Sequence, residues 1–154
     1  MEKTNAMRIL DARGVPYLAR CYDPALTDGL QVADALGLPR ERTFKTLVTA
    51  GADGGHYVFV LPVCCSLDLK KAARAVGIKS VAMLPQRQLF PLTGYVHGGC
   101  SPIGMKRAFP TVLDEAALLF DTVCMSAGKR GLQLELSAEA LAALLGAVFD
   151  DVTE

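Results

Sequence analysis

Hydrophobic residues recur along this chain at two periods, and the switches between them mark out its elements. Near the start, Ala6, Met7 and Leu10 share one helical face over residues 4–13. Gly14 follows where a left-handed residue would end that helix. Residues 16–22 read as a strand opened by Pro16, and residues 30–36 as a short helix closed by Gly37 and Pro39. Two apolar runs, 44–50 and 56–63, flank Gly51, Ala52, Asp53, Gly54 and Gly55, which predicts a hairpin with a five-residue loop. Helical spacing returns over residues 67–76, with Leu69, Ala72, Ala73 and Val76 inward, Ser66 as cap and Gly77 as stop. Residues 81–84, 111–113, 118–125 and 132–136 are further strands; in the last, Leu132, Leu134 and Leu136 alternate against Gln133 and Glu135. Ser137 opens a final helix to Leu145, ended by Gly146. Helices interleaved with mostly hairpin-connected strands predict an α+β fold around a mixed sheet, in a single domain spanning residues 1–154.

Composition narrows the class. Of 154 residues, 51% are hydrophobic and 21% charged, as expected of an ordered globular chain. No apolar leader and no run of membrane-spanning length is present, so a soluble, cytoplasmic protein without membrane contact is expected. Five cysteines form no CxxC pair and there are two histidines, which predicts reduced thiols and no metal site. Net charge is zero but segregated: residues 40–110 carry ten basic and three acidic side chains, and residues 111–154 two basic and eight acidic. A basic middle third keeps nucleic acid open as a partner.

The most distinctive stretch runs from Thr93 to Gly104, with four glycines and a proline. Gly98 and Gly99 leave two backbone N–H groups unshielded by side chains, able to face a carbonyl oxygen that gains negative charge. A glycine-rich turn between strands is the plainer alternative. His97 is the one candidate base in that loop, and Cys100 and Ser101 the candidate nucleophiles, but none stands in a recognised nucleophile–base pattern. Lys45 interrupts an apolar strand, where it either meets solvent or points a cation into a pocket; Thr46 beside it points the opposite way, and both are kept as site candidates. The turn Ser126-Ala127-Gly128-Lys129-Arg130-Gly131 lacks Walker spacing, yet it presents two cations that suit a phosphate or carboxylate. Lys70, Lys71, Arg74 and Lys79 form a basic helical face fit for a phosphate backbone.

Taken together, Phe44-Lys45-Thr46-Leu47-Val48, Leu67-Asp68-Leu69-Lys70-Lys71-Ala72-Ala73, the Thr93–Gly104 loop and the Ser126–Leu132 turn resemble the YbaK/EbsC family. Its members are free-standing relatives of the editing domain of bacterial prolyl-tRNA synthetase. The resemblance implies a mixed, partly barrel-like sheet with surrounding helices, and hydrolysis of mischarged Cys-tRNA(Pro) without metal or organic cofactor. It also implies a transient complex with prolyl-tRNA synthetase as the source of tRNA selectivity. The family's essential lysine falls on Lys45 and its pocket tyrosine position on Tyr22. The amide facing the reacting carbonyl falls within Gly98-Gly99, with Gly99 the choice, and the serine before the turn falls on Ser126. Ser101 joins these as a substrate contact, and Lys70, Lys71, Arg74, Lys129 and Arg130 as tRNA contacts. Where relatives carry an aromatic pocket residue this chain has Asp28, with Leu30 following as an alternative apolar wall. Two other readings stay open: a deacylase for Ala-tRNA(Pro) or another small amino acid, and a non-catalytic tRNA- or synthetase-binding module.

Overall fold

The computed structural model describes residues 2–154. Its first helix, α1 (Asn5–Arg13), is capped by the Thr4 side chain and ended by Gly14 in the left-handed region, at φ 67°. Such backbone is nearly free of strain only for glycine. Helix α2 is Gly29–Ala35, α3 Leu69–Val76, α4 Leu89–Thr93 and α5 Ala138–Leu145. The cap of α3 is Asp68 rather than Ser66: its Oδ1 accepts from the backbone N–H groups of Lys70 and Lys71, both at 3.0 Å. Helix α4 lies just before the glycine-rich loop, in a stretch where the sequence predicts no element. Pro91 falls in its first turn, where a missing N–H costs nothing.

Two sheets divide the strands. The antiparallel order β1 (Leu18–Cys21), β7 (Leu132–Ser137), β6 (Thr122–Ser126) makes the smaller one. The larger runs β4 (Val81–Met83), β2 (Phe44–Gly51), β3 (His56–Pro62), β5 (Thr111–Asp114), β8 (Val148–Asp150), with β3–β5 and β5–β8 parallel and the rest antiparallel. The hairpin pairs Phe44 with Pro62 through Ala50 with His56. The sheets meet at a bridge between Thr43 and Cys124 and do not close into a barrel.

The strand expected over residues 118–125 begins only at Thr122. Asp114 Oδ2 accepts from Ala116 N–H at 3.1 Å and turns the chain into a short 3-10 helix, Glu115–Leu119, before it can extend. Asp114 Oδ1 takes Val152 N–H at 3.0 Å, so one buried carboxylate also anchors the acidic tail.

One core lies between the sheets, where Val58, Val60 and Leu113 face Met125, Leu134 and Leu136, sealed by Met7 and Leu10 of α1 and Leu141 of α5. A second, around Phe59, Leu61, Ala72, Ala73 and Val152, packs α3 and the tail on the far face of the larger sheet.

The smaller sheet's other face is polar. There Glu135 pairs with Arg20 at 2.6 Å and Arg42 at 3.2 Å and accepts from the Thr122 hydroxyl at 2.7 Å. Arg42 lies just before β2, so this cluster ties the approach to Lys45 onto the smaller sheet. The Thr122 hydroxyl above all, then Arg20 and Arg42, hold the Glu135 carboxyl below its usual range against the opposing effect of burial. A carboxyl depressed on folding stabilises above its unfolded pKa, and that contribution is lost as pH falls through the folded one. Stability should therefore decline below about pH 4.3, and Glu135→Gln should flatten that decline in urea titrations at stepped pH. An unchanged slope would show that the cluster does not couple to folding.

Candidate active site

The site follows from where β2 is left unpaired. Val63 N–H donates to Thr43 C=O and Gly51 N–H to Gly55 C=O, each at 2.8 Å. Antiparallel alternation then turns the odd-numbered residues of β2 toward β3 and the even-numbered N–H and C=O groups the other way. Beyond that other edge β4 pairs only with Thr49, Ala50 and Gly51, and Leu84 N–H takes Val48 C=O. At the opposite end the Thr43–Cys124 bridge closes onto β6. The backbone of Thr46 lies on the open edge between these two covers, and a cavity of about 510 Å³ occupies the gap.

Lys45 and Thr46 both line it. Lys45 is half-buried and, among the described residues, has no carboxylate partner, so its cation is free for a ligand. The Thr46 hydroxyl oxygen is buried without a hydrogen-bond partner. Tyr22, Ser126 and Gln133 form the wall contributed by the smaller sheet. Gln133 is 6% exposed and its Oε1 has no partner either. Sequence reasoning set it aside as the polar side of an alternating strand. The available signal was Gln133 opposite Ser126 in the β6–β7 pairing, which puts both on one face.

The glycine loop supplies the facing wall through His97, Gly98 and Cys100. Gly98 has φ 85°, and among the described residues its N–H has no acceptor. Gly99 does not line the cavity: its N–H donates to Val96 C=O at 3.0 Å, and a Cβ there would sit 3.0 Å from the Arg130 backbone nitrogen. The amide expected to serve the carbonyl is thus committed to a turn, and Gly98 is the open one. Ser101 is fully buried behind the loop, its Oγ accepting from Ile103 N–H at 3.2 Å, with the Tyr95 hydroxyl donating to Ile103 C=O. Cys100 faces the cavity, but burial pushes its thiol up to about 12, so it is no thiolate near neutrality. Ser126 Oγ accepts from Gly128 N–H at 3.1 Å, which shapes the turn rather than activating the hydroxyl.

Asp28 lines the cavity while capping α2, its Oδ1 accepting from Leu30 N–H at 3.3 Å. Leu30 is not on the wall; Val32, Val63, Leu84 and Leu89 provide the apolar lining. The basic α3 face is only partly open. Lys70 and Arg74 are exposed, but Lys71 Nζ is held by Asp151 and by the Thr153 carbonyl, both at 2.8 Å. Lys129 is exposed, and Arg130 Nε donates to the His97 carbonyl at 2.8 Å. No three His, Cys, Asp or Glu side chains cluster as a metal site requires, and no helix could cross a membrane, among the described residues.

A model of the aminoacyl-tRNA editing domain matches residues 23–144, which include every residue lining this cavity except Tyr22. The chain belongs to the aminoacyl-tRNA editing domain family. It is 46% identical over 156 aligned residues, covering 99% of this chain and 94% of the relative, to an Enterococcus faecalis protein described as a candidate Cys-tRNA(Pro)/Cys-tRNA(Cys) deacylase, EbsC. It is 28% identical over 130 residues to a proline–tRNA ligase of Cupriavidus necator, of which it spans 23%. Among solved structures, one described as a candidate trans-editing enzyme for prolyl-tRNA synthetase superposes with a TM-score of 0.84 at 27% identity, covering 99% of both chains. The editing fold therefore accounts for the two-sheet architecture, and the cavity lies along the open edge of β2.

Proposed function

We propose that this chain is a deacylase that removes cysteine from mischarged Cys-tRNA(Pro), acting as one editing unit across its length. The observation that carries the reading is a cavity with an unpaired cation and an open backbone amide but no activated nucleophile. Lys45 and Gly98 line the space, the Gly98 N–H has no acceptor among the described residues, the Cys100 thiol is held neutral, and the Ser126 hydroxyl is engaged in its turn.

A substrate that brings its own nucleophile needs nothing more. The cysteinyl thiol loses its proton, its sulfur bonds to its own ester carbonyl carbon, and the C–O bond to the terminal ribose breaks. The proton ends on the released ribose oxygen, and a thiolactone is left for water to open. Intramolecular attack of this kind reaches effective molarities of about 10⁵–10⁸ M when the groups are well oriented. The protein's part is to hold the near-attack pose and to stabilise the oxyanion. Gly98 N–H donates to that oxyanion, the role the resemblance placed on Gly99. Lys45 draws the polarised ester into place. Thr46 and the unpartnered Gln133 Oε1 accept from the α-ammonium group.

The likeness to part of a proline–tRNA ligase supports a transient complex with prolyl-tRNA synthetase that selects the tRNA. The test is side-by-side deacylation of Cys-tRNA(Pro) and Ala-tRNA(Pro), with the cysteine product trapped at early times. Rapid loss of cysteine alone through a thiolactone is expected. Preferential loss of alanine, which has no thiol, would transfer the site to a water-based mechanism. Turnover of neither would leave a binding module.

A further inference from the structure

We propose that Arg130 is a positioning residue for the Gly98 amide, and not a tRNA contact; this rests on reading the cavity as the deacylation site. The geometry begins with one peptide unit. The His97 carbonyl and the Gly98 N–H belong to the same trans peptide, since there is no cis bond among the described residues, so they point to opposite sides of the backbone. Arg130 Nε donates to that carbonyl at 2.8 Å, a charge-assisted bond. Arg130 does not line the cavity, whereas His97 and Gly98 do. Drawing the carbonyl toward Arg130 therefore turns the N–H the other way, toward the cavity, where it finds no acceptor among the described residues.

The contact is confined from both sides. A Cβ on Gly98 would lie 3.3 Å from Arg130 Nε, and one on Gly99 3.0 Å from Arg130 N. The Gly-Lys-Arg-Gly turn thus packs its backbone on Gly99 and its arginine on Gly98. Without the guanidinium, a glycine peptide is free to rotate its plane, and the amide would lose its aim. Lys129, exposed beside it, makes no such contact and stays available to phosphate.

The test compares Arg130→Ala and Arg130→Lys with wild type in single-turnover deacylation of Cys-tRNA(Pro), in binding of uncharged tRNA across a salt series, and in backbone NMR of His97 and Gly98. Arg130→Ala should lower the saturating rate about 10²-fold, as loss of one oxyanion donor does, with tRNA affinity and salt slope unchanged. Arg130→Lys, which can still donate to the carbonyl, should recover part of that rate. The His97 carbonyl carbon and Gly98 amide resonances should move in Arg130→Ala alone. A saturating rate that holds in Arg130→Ala overturns the inference, and a salt slope shallower by about one would make Arg130 a phosphate contact instead. If wild type deacylates no tRNA, the proposed function fails, and the NMR comparison still decides the peptide's anchoring: unmoved resonances would overturn it.

Discussion

Lys45→Ala should abolish most deacylation, by about 10²–10³-fold in the saturating rate, a loss of the size seen when one preorganised electrostatic partner is removed. Lys45 lies on the half of β2 that β4 leaves uncovered and lines a cavity whose apolar walls lower the local dielectric and strengthen its field. Among the described residues no carboxylate lies within ion-pair distance of it, so its charge is unpaired until a ligand enters. Removing it strips no buried ion pair and leaves no orphaned partner, so thermal stability should change little. The measurement is single-turnover deacylation beside a melting curve and binding of uncharged tRNA. Lost turnover with binding and melting retained assigns the cation to the reaction. Retained turnover would mean that the ester is held by backbone groups alone. Lys45→Arg should not restore the rate fully, because a planar guanidinium needs a broader site than a compact ammonium.

Much of this was legible beforehand, for local reasons. The hairpin of β2 and β3, the glycine stops at Gly14, Gly77 and Gly146, and the position of Lys45 on a strand all follow from period and turn chemistry. What escaped depends on tertiary neighbours. Gln133 reads as the wet side of a strand because alternation cannot show that the polar face is roofed by residues 42–46 and becomes a cavity wall. Gly98 and Gly99 are indistinguishable in sequence, and only the folded turn, in which Gly99 N–H donates to Val96 C=O, decides which amide is closed in. Lys71 belongs to a basic helical face by spacing, yet the tail brings Asp151 to it across 80 residues. Strand β8 has three residues and, among the described residues, pairs only with β5, too little for a pattern to register.

The second large effect concerns Gly98 itself, and a matched control can separate its two sources of damage. Gly98→Ala should lose deacylation to a degree comparable with Lys45→Ala. At φ 85° an L-residue is strained by roughly 1–2 kcal/mol. The new methyl would also sit 3.0 Å from Thr27 Cβ and 3.3 Å from Arg130 Nε, so the loop must shift away from both. Gly14 has a similar left-handed backbone at φ 67°, with nothing among the described residues within 4 Å of its missing Cβ, and lies at the end of α1. Gly14→Ala should therefore show the backbone penalty alone, a lower melting temperature with deacylation intact when assayed well below the transition. If both variants lose activity in proportion to stability, Gly98 matters only as a turn residue. If Gly98→Ala is inactive at a temperature where Gly14→Ala, equally destabilised, still turns over, the lost quantity is the position of one N–H. That outcome would place the oxyanion donor on the backbone of this loop, where no side-chain substitution elsewhere could replace it.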